Sequence, residues 1–359
     1  MERITTYANI NSLTAFFAKR PSIEDELDDM EWSRSWMDFY SFINKQADLR
    51  LDVDPTQLSM MSKTNPYIKK MLKNASSGGS SLRCEKEAFD HLDKVSEQSM
   101  PQTLFFLDKS NKECEEIENQ YGLITLNPTR VRYKAGFMFN WSLYNVTKDR
   151  GAVKRFEKWS QLERFRHPHN SMIVIDNYLL KDLGEMEENL IPMLDALLPE
   201  KLDARTYQLT LVGVDLRDKP ASMKKYIEWE LKNKLKRSYE IEVCVVKTES
   251  NKNHDRNIIT NYLWLHSGHS FTYVRRNQIS KNTNLMLFPI FYQQKDFQSY
   301  YEEDPPTETK SSVWEAVNQR LREARYIFKT ASQYPDAVGG ELKNSILIGK
   351  KSGQIVYSS

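Results

Sequence analysis

The spacing of hydrophobic residues divides the chain into segments of different secondary structure. In residues 1–75, large apolar residues recur at three- and four-residue steps, as one face of a helix requires. They are Leu13, Phe16, Phe17, Trp32, Trp36, Phe39, Tyr40 and Ile43. This pattern predicts a helical N-terminal region, which ends before the flexible Ser-Ser-Gly-Gly-Ser-Ser stretch at 76–81.

Residues 76–165 are predicted to form a mixed α/β segment. The apolar runs 103–107 and 123–126 predict strands, and residues 108–120 between them predict an amphipathic helix, which makes a βαβ unit. Asp108 stands where the first strand ends, a position at which α/β folds place functional groups. Ser110 competes with Asp108 for the N-cap of the helix.

Strands and helices alternate in residues 166–359. Four strands are predicted, at 172–180, 207–214, 239–246 and 257–265. Asp182 with Glu185 is typical of a helix start, and Pro192 predicts a kink in that helix. A helix through 313–328 and a hairpin at 345–357 follow. We therefore predict an α/β protein (α+β overall), in which a C-terminal sheet flanked by helices follows a mixed α/β N-terminal domain.

Composition narrows the class of protein. A chain of 359 residues with 40% hydrophobic and 28% charged residues is globular and long enough for two domains. The net charge of +2 excludes a global field that attracts nucleic acid, so only local patches can do so. The N-terminus has no signal pattern, and no apolar run approaches the ~18 residues of a membrane span. These features predict a cytoplasmic protein without a membrane partner.

The residue pattern gives little support for a nucleotide-binding site or a metal site. The chain has only 12 glycines and no Gly-rich phosphate loop, which argues against a nucleotide-binding enzyme. The three cysteines Cys84, Cys114 and Cys244 show no metal-ligand spacing and are predicted to be reduced core thiols. We predict no cofactor and no metal site.

Four residues carry the most informative motif. His254, Arg256, Asn261 and Gly268 stand in the register His-x-Arg-x4-Asn-x6-Gly. This register resembles His-x-Lys-x4-Asp-x6-Gly, the signature of the phospholipase D superfamily, with Lys exchanged for Arg and Asp for Asn. The predicted βαβαβ order before the motif is that of a single phospholipase D half-domain. The turn Asp-Asn-Tyr at 176–178 also looks like the Asp-Pro-Tyr turn of the MIT C-terminal domains.

The resemblance implies a phosphodiester site. It makes His254 the candidate nucleophile and assigns phosphate contacts to Arg256, Asn261, Gly268 and the adjacent His269. Arg holds phosphate through its planar fork of donors, whereas Asn261 lacks the carboxylate that would orient an imidazole. One motif supplies one histidine, so a complete site requires two chains related by a two-fold axis. Binding without cleavage is therefore the favoured interpretation.

A basic and aromatic stretch lies between residues 129 and 170. Cations interleaved with aromatic residues suit a phosphate backbone and exposed bases. The candidate nucleic-acid contacts are Arg130, Arg132, Lys134, Lys154, Arg155 and Lys158. The alternative is a basic helix whose aromatic residues pack inward.

Four functions stay open on the sequence. The first is a protein that binds phosphate or nucleic-acid backbone, by analogy in prokaryotic antiviral defence or mobile-element biology. The second is a metal-independent phosphodiesterase or nuclease that acts as a homodimer through His254. The third is a metal-dependent nuclease that uses Asp108 and the acidic residues 24–31. The fourth is an adaptor that binds a protein partner or self-associates.

Overall fold

The computed structural model describes residues 3–22, 29–98, 102–249, 256–292 and 313–348. The chain divides into two compact units, and the boundary between them in the sequence lies between Asn140 and Trp141. This boundary differs from the predicted ones after residues 75 and 165. The first 75 residues are not a separate helical region, because two of their segments are strands that pair with each other and with strands at Ser81–Cys84 and Leu104–Phe106.

Unit 1 alternates strands and helices from its first described residues. Its strands are β1 (Ile4–Ala8), β2 (Ala47–Leu51), β3 (Ser81–Cys84), β4 (Leu104–Phe106) and β5 (Thr125–Leu126). Its helices are α1 (Ile10–Ala18), α2 (Met30–Lys45), α3 (Pro55–Thr64), α4 (Pro66–Ser76), α5 (Lys86–Asp90), α6 (Leu92–Gln98), α7 (Asn111–Tyr121) and α8 (Arg130–Phe139). The predicted βαβ unit is present as β4, α7 and β5.

The sheet of unit 1 is parallel, in the order β3-β2-β1-β4-β5. The predicted apolar helix face packs over it, since Phe16 of α1 stacks on Trp36 of α2 at a ring distance of 5.3 Å and lies 5.2 Å from Phe39. Ser110 is the N-cap of α7 and forms a reciprocal capping box with Glu113. Asp108 is therefore free of the capping role.

Unit 2 is built around one large sheet. Its first strands are β6 (Ser142–Val146), β7 (Ser171–Ile175), β8 (Tyr207–Gly213) and β9 (Ile241–Lys247), and its later strands are β10 (Arg256–Thr260), β11 (Leu263–Ser267), β12 (Val274–Arg275), β13 (Gln278–Ile279), β14 (Thr283–Pro289) and β15 (Val338–Gly339). Its helices are α9 (Leu183–Glu185), α10 (Ile191–Leu197), α11 (Pro220–Lys234), α12 (Val313–Ala331) and α13 (Ser345–Ile348), with 3-10 turns at Trp159–Phe165 and Pro335–Ala337.

The eight-stranded sheet has the order β15-β9-β8-β7-β10-β11-β14-β6. Strands β7, β8 and β9 are parallel, and β10 pairs with β7 in antiparallel register, with Asn257 opposite Ile175. The beginning of β10 therefore lies at the edge of the sheet where the parallel strands end. The α/β class is confirmed by this mixture of a parallel and a mixed sheet with helices.

Three local predictions need correction. The segment 257–265 is a hairpin of β10 and β11, because Asn261 and Tyr262 turn the chain back on itself. The predicted kink at Pro192 takes the form of a π-helical turn at Met186–Leu190, which joins α9 to α10. The predicted hairpin at 345–357 begins instead with the short helix α13, and its remainder lies outside the described residues.

Candidate functional site

The candidate site lies at the edge where β7, β8 and β9 end. Backbone hydrogen bonds tie the three strand ends together, because Asp215 N donates to Asn177 O at 3.0 Å and Thr248 N donates to Gly213 O at 2.9 Å. Functional groups of open α/β sheets collect at this edge, outside the carboxyl ends of the strands. In unit 2, the beginning of β10 and the end of β11 also lie at this edge.

Asp176 organises this edge. Its carboxylate is buried and accepts four hydrogen bonds, two of them from the following turn at Tyr178 N (2.8 Å) and Leu179 N (3.1 Å). The other two come from across the sheet, from Ser270 Oγ (2.7 Å) and Phe271 N (2.6 Å). Burial raises the pKa of the Asp176 carboxyl, whereas the hydrogen bonds that it accepts act in the opposite direction. The carboxylate thus fastens the loop after β11 to the turn after β7.

This tie brings part of the predicted motif together. Arg256 is the first residue of β10 and pairs in register with Ser267, the last residue of β11, so Gly268 and His269 follow directly beside it. The guanidinium carbon of Arg256 lies 6.0 Å from the centre of the Tyr178 ring. Gly268 and His269 are exposed, and Arg256 is half-buried. A half-buried guanidinium, an exposed imidazole and an aromatic face are thus gathered at one edge.

The glycine of the motif is not required by the protein's own packing. A methyl group at Gly268 would meet only Thr283 Oγ1, at 3.9 Å, and the backbone there is not left-handed. His269 N donates a hydrogen bond to Ser267 Oγ at 3.2 Å, which fixes the first turn of the loop. A small residue at this position leaves space in front of the loop.

Asn261 does not belong to this edge, and its assignment as a phosphate contact is wrong. It is fully buried in the hairpin turn at the far end of β10, five residues or roughly 16 Å from Arg256. Its Oδ1 accepts hydrogen bonds from Asn170 N (3.2 Å) and Ser171 N (3.1 Å), and its Nδ2 donates to Asn170 Oδ1 (3.0 Å). The side chain therefore fastens the hairpin to the start of β7. His254, the candidate nucleophile, lies outside the described residues.

A buried histidine pair lies at the same far end. The rings of His167 and His169 are 4.6 Å apart, and His167 Nε2 shares a hydrogen bond of 2.9 Å with Thr260 Oγ1. Burial lowers the pKa of His169 well below its usual value, and the neighbouring His167 lowers it further. Both imidazoles are therefore part of the core and are separated from the candidate site by the length of the sheet.

The cations in the first half of the basic stretch form ion pairs within unit 1. Arg130 is buried and forms an ion pair with Glu118, which Lys134 also contacts at 3.3 Å. Arg132 pairs with Asp29 at 2.8 Å. These three cations neutralise carboxylates of their own unit, so their assignment as nucleic-acid contacts is not supported by the contacts that they make.

The second half of the stretch belongs to unit 2. Lys154 and Lys158 are exposed, whereas Arg155 donates to Thr147 O at 2.9 Å and pairs with Glu157 at 3.3 Å. Most of the interleaved aromatic rings pack inward, as the alternative interpretation expects. The buried rings are Phe139, Tyr144, Phe156, Trp159 and Phe165.

At the corresponding edge of unit 1, hydrogen bonds join the residues that follow β1, β2 and β4. Asp52 accepts from Asn9 Nδ2 and from Ile10 N, each at 2.7 Å, and Asp108 N donates to Asn9 Oδ1 at 2.8 Å. Both oxygens of Asp52 are thus engaged with protein donors. Across the described ranges, no three His, Cys, Asp or Glu side chains lie close enough together to hold a metal ion.

The acidic residues 24–31 divide between two situations. Residues 24–28 lie outside the described ranges. Asp29 is the N-cap of α2, where it accepts from Trp32 N at 3.1 Å, and it also pairs with Arg132. Asp29 therefore stabilises the start of α2 and is paired with Arg132.

In comparisons with known proteins, no family model and no curated protein matches this chain. Every helix in the described ranges is too short or too polar to cross a membrane. The function must therefore be argued from the site itself.

Proposed function

We propose that unit 2 binds the phosphodiester backbone of a nucleic acid at the edge formed by Arg256, Gly268 and His269. The observation that carries the proposal is the four-bond tie of Asp176, which fastens the loop after β11 to the turn after β7, and β7 pairs with the beginning of β10. A site whose shape is fixed by buried hydrogen bonds does not have to be ordered by its ligand, which lowers the cost of binding.

The chemistry of the three side chains supports an anionic ligand. Arg256 carries a planar guanidinium whose fork of N–H donors matches the oxygens of a phosphate. His269 is exposed next to it and supplies a further donor. The Tyr178 ring, 43% exposed and close to Arg256, offers a face on which a base can stack. Binding without cleavage remains the interpretation, and a role in prokaryotic defence stays a prediction.

The test is an anisotropy titration of a labelled oligonucleotide with the full chain. A charge-assisted hydrogen bond contributes about 1.5–3 kcal/mol, so Arg256→Ala should weaken binding about 10- to 100-fold. Arg256→Lys should retain part of the affinity because it keeps the charge. Arg322→Ala is the matched control, since Arg322 is an exposed arginine on α12. Equal affinity of the Arg256→Ala, Arg322→Ala and unsubstituted proteins would refute the proposal.

Two further measurements separate the alternatives. Binding to a phosphate backbone must weaken as salt rises from about 50 to 500 mM, because counterions compete with the protein. Cleavage that persists in EDTA and disappears in His254→Ala would establish the homodimeric phosphodiesterase. Cleavage that disappears in EDTA and in Asp108→Asn would establish the metal-dependent nuclease. Binding of a protein with no response to any oligonucleotide would establish the adaptor.

A further inference from the structure

One face of α11 carries an exposed tryptophan between two lysines. All seven tryptophans lie within the described residues, and Trp229 alone is exposed, with 60% of its surface accessible. A large aromatic side chain left in water forgoes about 1.5–3 kcal/mol of burial. Because a single exposed apolar residue is common on protein surfaces, the charged residues beside Trp229 decide what it can bind.

The position of Trp229 on the helix is set by the packing of α11. The buried side of the helix is formed by Met223, Ile227, Glu230 and Leu231. Lys225 and Lys232 lie four residues before and three residues after Trp229, so all three side chains share the side that faces away from the sheet. Seven residues of helix place Lys225 and Lys232 about 10 Å apart along the axis, with the indole between them.

The charge of this face is predominantly positive. The exposed positions of α11 are Ala221, Ser222, Lys225, Trp229, Lys232, Asn233 and Lys234. The half-buried Glu228 lies one turn from both Lys225 and Lys232, but it pairs with Lys224 at 3.3 Å, and Glu230 is buried and pairs with Lys234 at 2.6 Å. Lys225 and Lys232 form no ion pair with any described residue and are left to interact with an external anion.

We propose that this face binds single-stranded nucleic acid, with a base stacked on Trp229 and flanking phosphates on Lys225 and Lys232. A single strand presents both an aromatic face and negative charges on either side of it, which is the complement of a Lys-Trp-Lys stripe. A lipid surface is a poorer match, since one indole without neighbouring apolar residues buries little area in a bilayer. The surface is distinct from the Arg256 edge, and the inference does not depend on the function proposed there.

The experiment uses quenching of tryptophan fluorescence in the full chain. A short oligothymidine of about eight nucleotides is titrated at low salt, and stacking should quench the solvent-exposed indole of Trp229. Trp229→Leu should remove this quenching and weaken binding about 5- to 150-fold, the range found for loss of one base–aromatic stack. Lys225→Gln with Lys232→Gln should weaken binding about tenfold or more and reduce its salt dependence by about two counterions.

The controls make the result specific to this face. Lys63→Gln removes an exposed lysine on α3 of unit 1, so it should change the affinity less than about twofold. Arg256→Ala should leave the quenching of Trp229 intact, which separates this surface from the site above. Unchanged binding by a folded Trp229→Leu protein would overturn the inference. Stronger quenching by anionic phospholipid vesicles or by polyglutamate than by the oligonucleotide would also overturn it.

Discussion

The tie made by Asp176 can be tested by the replacement Asp176→Asn. The carboxylate Oδ1 accepts three hydrogen bonds and Oδ2 accepts one, from Phe271 N at 2.6 Å. An amide keeps one oxygen, which would take the Oδ1 position, so its NH2 group would face the N–H of Phe271. Two hydrogen-bond donors, the amide NH2 and the backbone N–H of Phe271, would then face each other at a buried position, because Phe271 is fully buried.

The size of the effect follows from these contacts. An unsatisfied buried donor costs about 1–3 kcal/mol, and each of the three remaining hydrogen bonds weakens by about 1 kcal/mol when its acceptor loses the charge. Removing a buried charge returns part of this loss, because burial disfavours the ionised form of Asp176. We expect unit 2 to lose about 2–4 kcal/mol of its free energy of unfolding at neutral pH.

The assay combines urea denaturation with hydrogen exchange of the loop after β11. Ser270→Ala is the matched variant, since it removes one of the four bonds and should cost about 1 kcal/mol. The double variant should cost less than the sum of the two, because both changes act on the same tie. Oligonucleotide binding should weaken in Asp176→Asn even where the protein is fully folded. A change in stability under about 0.5 kcal/mol, with unaltered exchange of the loop, would refute this role for Asp176.

Three further predictions concern stability. Burial lowers the pKa of His169 in the folded chain. Below the usual histidine pKa of 6.5, the unfolded chain therefore binds a proton that the folded chain does not, and the free energy of unfolding should decrease as the pH is lowered, by up to about 1.4 kcal/mol per pH unit. His169→Leu should flatten this slope in urea melts at stepped pH. Gly122→Ala should lower the stability of unit 1 by about 1 kcal/mol, because Gly122 ends α7 in the left-handed region at φ 64°. Gly136→Ala should instead raise its stability by about 0.5–1 kcal/mol, because a methyl group at this position inside α8 meets nothing within 4 Å. Thermal melts that rank the two variants in the opposite order would contradict both predictions. Gly339→Ala should destabilise unit 2 by more than about 1–3 kcal/mol, since its Cβ would clash with the backbone carbonyl group of Pro220, and a melting temperature equal to the parent's would exclude that contact.

The sequence by itself determined much of the local structure. Apolar periodicity located the βαβ unit at 104–126 and the alternation of strands and helices from 171 to 247, because burial of one face sets the spacing of apolar residues. Asp182 caps α9 through Glu185 N, as its position predicts. Each of these features depends on residues within a few positions of one another, so the chain reports them directly.

Tertiary structure decided which residues share a site. Strands β1 and β2 are short and lie beside strong helical patterns, so only their parallel partners show that they form the middle of a sheet. Arg130 is neutralised by Glu118 of a neighbouring helix, and Asn261 is placed at the far end of β10 by the length of that strand. The tie between Asp176 and Ser270 joins residues 94 positions apart. Contacts across such separations arise when strands are ordered in a sheet, and spacing along the chain carries no record of that order.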